Sequence, residues 1–183
     1  MKQKLKTSIA FAKNLLTTGA ISETSRIAEV EICKYIPKED HKIIVEFGMG
    51  HGNITREILN TISPTSKLYA FEVNKDFCKH VSETISDERL IIINDGAENL
   101  KKHITRNIDS VISTIPFSFF GKEKGLAIIQ DAHDLLNYNS YYSQVLYTKF
   151  NFKKFQQIFE ECSIKTNKKT ITEYIYHCKK LNQ

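Results

Sequence analysis

Lys42-Ile43-Ile44-Val45-Glu46-Phe47-Gly48-Met49-Gly50-His51-Gly52-Asn53-Ile54-Thr55 is the stretch whose reading decides the fold. Its apolar run, Ile43 to Phe47, reads as a buried strand. Three alternate glycines follow, and a helix begins near Asn53. A strand that passes through glycines into a helix brings backbone N–H groups up against a ligand. Glycine serves there because a side chain would block the approach and because such a turn can require positive φ. A GxGxxG turn would need its third glycine at position 53, which is Asn53; this chain has Glu46-x-Gly48-x-Gly50-x-Gly52 instead.

Outward from that stretch, strand and helix alternate. Strands are expected at 43–47, 67–72, 90–93, 108–115 and 141–148. Helices are expected at 53–62, 75–85, 122–136 and 152–161, and two closing strands near 163–167 and 169–178. Alternating β and α predicts an α/β fold with a mostly parallel sheet, helices on both faces. The closing strands have almost no connection between them, so they must be antiparallel neighbours. Before the first strand, a helix opening at the polar turn 19–26 runs to about Tyr35 and is broken by Pro37. Lys2 to Thr18 reads as a further helix, with Leu5, Ile9, Ala12 and Leu16 on one face and Lys2, Lys6 and Lys13 beside them. Such a helix either lies on an anionic lipid surface or packs over the domain.

Composition narrows the class. With 41% hydrophobic and 26% charged residues, the chain is expected to fold rather than stay disordered. No apolar run approaches the roughly 20 residues of a membrane span. Nor does the N-terminus have the apolar centre of a signal peptide, so a cytoplasmic protein is expected. The cysteines, Cys33, Cys78, Cys162 and Cys178, form no CxxC pair; they read as four reduced thiols, with no metal site. The net charge of +5 gathers at the two ends, and residues 149–183 carry eight Lys/Arg against three acids. Basic ends suit a polyanionic partner, either nucleic acid or an anionic membrane.

In open α/β sheets, ligands bind beyond the carboxyl ends of the strands. The first strand ends in the glycine turn. The second ends in Glu72, twenty residues after Gly52, a spacing that suits a carboxylate bonded to two ribose hydroxyls. The third ends in Asp95-Gly96-Ala97. Its acid is either an acceptor for an adenine amino group, with Ala97 near the ring, or an ordinary helix cap. The fourth ends in Ser113-Thr114-Ile115-Pro116-Phe117-Ser118-Phe119-Phe120.

These four strand ends, in this order, resemble the motifs of the class I S-adenosylmethionine-dependent methyltransferases. The fourth is similar to the Asn-Leu-Pro-Tyr-type motif of ribosomal RNA adenine dimethylases and to the Ser-Gly-Leu-Pro segment of bacterial phospholipid N-methyltransferases. Two more regions resemble the phospholipid enzymes. One is Gly19-Ala20-Ile21-Ser22-Glu23-Thr24-Ser25-Arg26, the other the end of the chain from Thr170 to Lys180 with Tyr174 and Tyr176. The chain departs from those patterns at Glu23, where proline is usual, at Thr114, where Asn or Gly is usual, and in lacking a closing proline pair.

The resemblance implies a Rossmann-like sheet and S-adenosyl-L-methionine as cofactor. The residues that would hold it are Glu46, Phe47, Gly48, Met49, Gly50, Gly52, Glu72, Val73, Asp95, Gly96, Ala97 and Ser113. It places Ser113, Thr114, Pro116 and Phe117 at the acceptor. There the two hydroxyls could orient an amine, and Phe117, Phe119 and Phe120 either face the growing methylammonium or pack in the core. The expected reaction is methyl transfer to the amine of a phospholipid head group such as phosphatidylethanolamine, by a cytoplasmic enzyme peripherally bound to the membrane. One domain over 1–183 is expected, with 1–40 a helical extension that contacts membrane or covers the cofactor. The alternatives are an RNA adenine N6-methyltransferase and a non-catalytic S-adenosylmethionine-binding module. Ribosomal RNA adenine dimethylases carry a helical domain after the sheet. About 35 residues follow the fifth strand here, and they are needed to complete the sheet. No histidine among His41, His51 and His133 stands out as a general base.

Overall fold

The computed structural model describes residues 24–117, 120–168 and 171–182. The expected helix over Lys2–Thr18, the turn from Gly19 to Glu23, and Ser118 and Phe119 lie outside the described residues. A seven-stranded sheet forms the centre. Strands β1 (Ile43–Phe47), β2 (Lys67–Phe71), β3 (Leu90–Ile93), β4 (Ile108–Ser113) and β5 (Leu136–Leu146) are parallel. Strand β7 (Thr172–Lys179) runs antiparallel to β5, and β6 (Glu161–Lys168) antiparallel to β7, giving the order β3-β2-β1-β4-β5-β7-β6.

Alternation along the strands divides the apolar residues between two cores. Ile44, Leu68, Ile112, Val145 and Ile175 face α1 (Arg26–Ile32) and α2 (Asn53–Thr61), and Ala70 on the same face meets Val81 of α3 (Lys75–Thr84). Val45, Phe47, Phe71, Val111, Tyr142 and Tyr176 face α4 (Leu100–His103), α5 (Lys122–Leu135) and α6 (Phe152–Gln156). The sheet is therefore covered on both faces. No described helix is long and apolar enough to cross a membrane.

Three local readings change. A 3-10 turn over Ala97–Asn99 and the short helix α4 fill a stretch with no amphipathic period. Strand β5 begins at Leu136, directly out of α5, rather than at 141. Its first half, Asn137-Tyr138-Asn139-Ser140, lacks strand alternation. Asn139 takes a φ of 63° and donates to the Lys180 carbonyl at 2.7 Å, so the neighbouring chain imposes the conformation. Finally, Cys162 and Cys178 face each other across β6 and β7 and are disulfide-bonded, which corrects the expectation of four free thiols. Cys33 and Cys78 are free. The pairing depends on strand register, which a sequence separation of 16 does not announce. Cysteine usage therefore no longer argues for a reducing compartment.

Helix α1 belongs to the core. Ala28 and Ile32 are fully buried, and Ser25 caps the helix by accepting from the Ala28 N–H. The buried Glu173 of β7 accepts from the Ser25 N–H at 2.8 Å and from its hydroxyl at 2.5 Å. Close by, His177 is buried with Nδ1 2.9 Å from the Ser143 hydroxyl and Nε2 3.6 Å from Glu31. Burial drives its pKa down to about 4, against the opposing pull of Glu31. The folded pKa lies below the ordinary value of about 6.5, so the neutral form favours the fold. This stabilisation is complete above pH 6.5 and is lost as pH falls through 4. We expect roughly 2–3 kcal/mol of stability to disappear over that window in urea titrations. The loss should be much smaller in His177→Gln; an equal loss in the variant would assign it to other groups.

Candidate active site

The glycine loop is held from two sides. The N–H of Gly48 donates to the Phe71 carbonyl at 2.9 Å, and that of Gly50 to the Glu72 carboxylate at 3.1 Å. Gly48 has a φ of +83°, and a Cβ there would lie 3.0 Å from Ile115 Cγ2 and 3.1 Å from Thr114 Oγ1. Backbone conformation and space both select glycine. Gly50 also takes a positive φ, +53°, but a Cβ there would meet nothing within 4 Å, so its bare backbone borders open space. Met49 points the other way and is buried against Ala70 and Val81.

Glu46 lies behind the loop, fully buried, with Oε2 accepting from the Thr55 hydroxyl at 2.8 Å. Oε1 has no hydrogen-bond partner among the described residues. Burial raises its pKa to about 8 despite the Thr55 bond, so the carboxyl is mostly neutral near pH 7. A cation reaching Oε1 would favour the charged form. Glu72 is also buried. Its Oε2 takes the Gly50 N–H and its Oε1 the Asn74 N–H at 2.8 Å, while Val73 beside it is exposed. Burial raises its pKa, opposed by those backbone N–H groups.

The third strand end is committed internally. Asp95 Oδ1 accepts from the Gly96 N–H at 2.8 Å and from Asn99 Nδ2 at 2.7 Å, and Oδ2 lies 2.8 Å from His103 Nε2. Burial pushes the Asp95 pKa up, but these bonds hold it below the usual range. Asp95 thus braces the start of the 3-10 turn, whose cap position is Gly96, and Ala97 is buried in the core. Glu98 folds back over Gly96 and pairs with Lys124 at 2.6 Å.

At the fourth strand end, Ser113 and Phe117 have no exposed surface. The Phe117 ring packs on Phe120 and Phe155, with centroids 5.9 and 5.5 Å away. It therefore takes the core role and has no face to offer a methylammonium. The Thr114 hydroxyl is engaged too, donating to the Gly48 carbonyl at 2.8 Å. That bond gives a physical account of threonine at this position: it ties the glycine loop to the end of β4. Thr114 and Pro116 line a cavity of about 70 Å³ with Tyr147, Thr148 and Asn151. Sequence reasoning passed over those last three, which follow a strand with no motif of their own. It also passed over Gln144, fully buried, whose Nε2 donates to the Ile115 carbonyl at 3.2 Å. A lone amide inside the apolar run of β5 was its signal. His51 rests on Phe77 and His80, with centroids 4.6 and 5.6 Å away. Among the described residues no three metal-ligating side chains cluster.

Sheet order, the glycine loop at the end of β1 and the acid at the end of β2 together describe the class I S-adenosylmethionine-dependent methyltransferase fold. The precorrin-6y C5,15-methyltransferase of Geobacter metallireducens superposes with a TM-score of 0.72 at 14% identity, over 86% of this chain and 90% of that one. Solved methyltransferases of this fold include complexes with SAH. No family model matches the chain. Over 154 residues it is 22% identical to the ornithine lipid N-methyltransferase of Singulisphaera acidiphila, covering 81% of this chain and 80% of that protein. Over 124 residues it is 29% identical to the catalytic subunit of a tRNA (adenine(58)-N(1))-methyltransferase of Dictyostelium discoideum, covering 62% of this chain and 40% of that protein.

Proposed function

We propose that the chain is an S-adenosylmethionine-dependent N-methyltransferase. Its acceptor is the amine of a phospholipid head group such as phosphatidylethanolamine, and residues 1–183 act as one domain at the membrane surface. The observation that carries this reading is the likeness to the ornithine lipid N-methyltransferase, which runs through about four-fifths of both chains. The cavity beside Thr114 and Pro116 lies at the end of β4, where an acceptor amine would enter.

The loop residues fit the cofactor. Open space at Gly50 leaves room for it, Oε1 of Glu46 awaits a cation such as the methionine ammonium, and Glu72 stands at the end of β2 where the ribose would lie. When bound, S-adenosylmethionine supplies a methyl group on a positively charged sulfur. The protein's part is to hold an unprotonated amine in line with that carbon. Thr114 and Gln144 do so indirectly, by fixing the Gly48 and Ile115 carbonyls.

A second reading, methylation of adenine in RNA, draws on the tRNA relative and on the basic residues after β5. Methyl-labelled S-adenosylmethionine, total bacterial lipid and ribosomal RNA in one incubation separate the two. We expect label in the organic phase. Label in RNA would establish the second reading, and label in neither, with cofactor bound, would leave a different small acceptor or a non-catalytic binding module.

A further inference from the structure

The turn after β5 joins an aromatic tip to positive charge. Residues 147–159 contain Lys149, Lys153 and Lys154 and no acid. Phe150 is 90% exposed, and every other phenylalanine among the described residues is buried or half-buried. Its neighbours turn inward: Asn151 is buried, Phe152 packs on Tyr176 at 4.9 Å, and Phe155 is fully buried. The frame is tied down, since the Tyr176 hydroxyl donates to the Thr148 carbonyl at 2.7 Å and the Phe152 N–H to the Lys149 carbonyl at 3.0 Å. A fixed turn thus holds a large apolar side chain out in water. Thr148 and Asn151 of the same turn line the cavity shared with Thr114 and Pro116.

We propose that residues 148–154 dock the protein on an anionic bilayer. Phe150 enters the interface between head groups and acyl chains, and Lys149, Lys153 and Lys154 meet lipid phosphates. This names the surface from which the proposed site draws its amine, and so it rests on that reading. A bilayer fits better than a nucleic acid strand. Platforms for successive bases string several aromatic faces along a groove, whereas Phe150 stands alone with Phe152 and Phe155 turned away.

The full chain contains no tryptophan, so Phe150→Trp introduces a single reporter. Its emission should shift to the blue on mixed phosphatidylglycerol–phosphatidylethanolamine vesicles and stay unchanged on pure phosphatidylcholine. In co-sedimentation, Phe150→Ala should weaken binding to the anionic vesicles roughly tenfold, the scale of one buried aromatic. Lys149→Ala and Lys153→Ala should each weaken it about fivefold, an effect erased by high salt. Melting curves should not move for Phe150→Ala. An unshifted tryptophan, or sedimentation of Phe150→Ala equal to the parent's, overturns the proposal. So does salt-sensitive binding to RNA that depends on Phe150 in a protein indifferent to vesicles. The two readings fail separately. Phe150-dependent vesicle binding with no label entering lipid retains the docking surface and removes the lipid acceptor. Equal labelling of limiting vesicles by parent and Phe150→Ala retains the acceptor and removes the docking surface.

Discussion

Glu72→Ala is expected to abolish binding of S-adenosylmethionine while the protein remains folded. In the proposed site the carboxylate would bond the ribose, and it accepts the N–H groups of Gly50 and Asn74. Removing it takes a charged hydrogen-bond acceptor from the ligand and releases Gly50 of the loop, while Gly48 stays bonded to the Phe71 carbonyl. Hydrogen bonds to charged groups contribute about 1.5–3 kcal/mol each, so losing two at the ribose lowers affinity roughly 100-fold or more. The fold should lose about 1–3 kcal/mol, the cost of leaving two N–H groups to find water. Calorimetric titration and a thermal melt on one preparation check both parts. Unchanged affinity would show that the ribose lies elsewhere.

Phe117→Ala is expected to destabilise the protein by about 3–5 kcal/mol, as large-to-small changes at fully buried aromatics do. That is a large share of the roughly 5–15 kcal/mol that holds a domain together. The ring bridges the segment after β4 to Phe155 of α6. Its loss would loosen the acceptor side together with the core. Phe117→Leu should cost less than about 2 kcal/mol and keep methyl transfer, because it retains volume without the aromatic face. Denaturant unfolding of both variants decides between packing and cation recognition. Wild-type stability in Phe117→Ala with transfer alone abolished would restore the aromatic-face role.

The alternation of strands and helices was legible because β1, β2, β3 and β4 each carry an apolar run set apart by turn residues. Ile43–Phe47 and Leu90–Ile93 fall at the expected positions. The glycine loop was legible for the same local reason, since Gly48 and Gly52 occupy left-handed conformations that few other residues adopt. What stayed hidden depends on partners far along the chain. That Asn99 and His103 bond the two oxygens of Asp95 could not be read from the sequence. The hydroxyl of Thr114 was available to an amine until Gly48, sixty-six residues earlier, was found to hold it. Cys162 and Cys178 looked unrelated until the register of β6 against β7 brought them level.

The placement of β7 between β5 and β6 constrains the order in which this chain can fold. Strand β6 precedes β7 in the chain yet touches the sheet only through it, so β6 cannot join until β7 is present. The β6–β7 hairpin closes over a few residues and can assemble quickly on its own. Its addition to β5 pairs Tyr141 with Lys179, and the β1–β4 ladder pairs Ile44 with Ser110. Both are long-range closures whose chain entropy is lost before any packing compensates it. The rate-limiting step should then be the docking of a preformed hairpin onto the parallel strands, with Tyr176 and Ile175 reaching opposite cores in the same event.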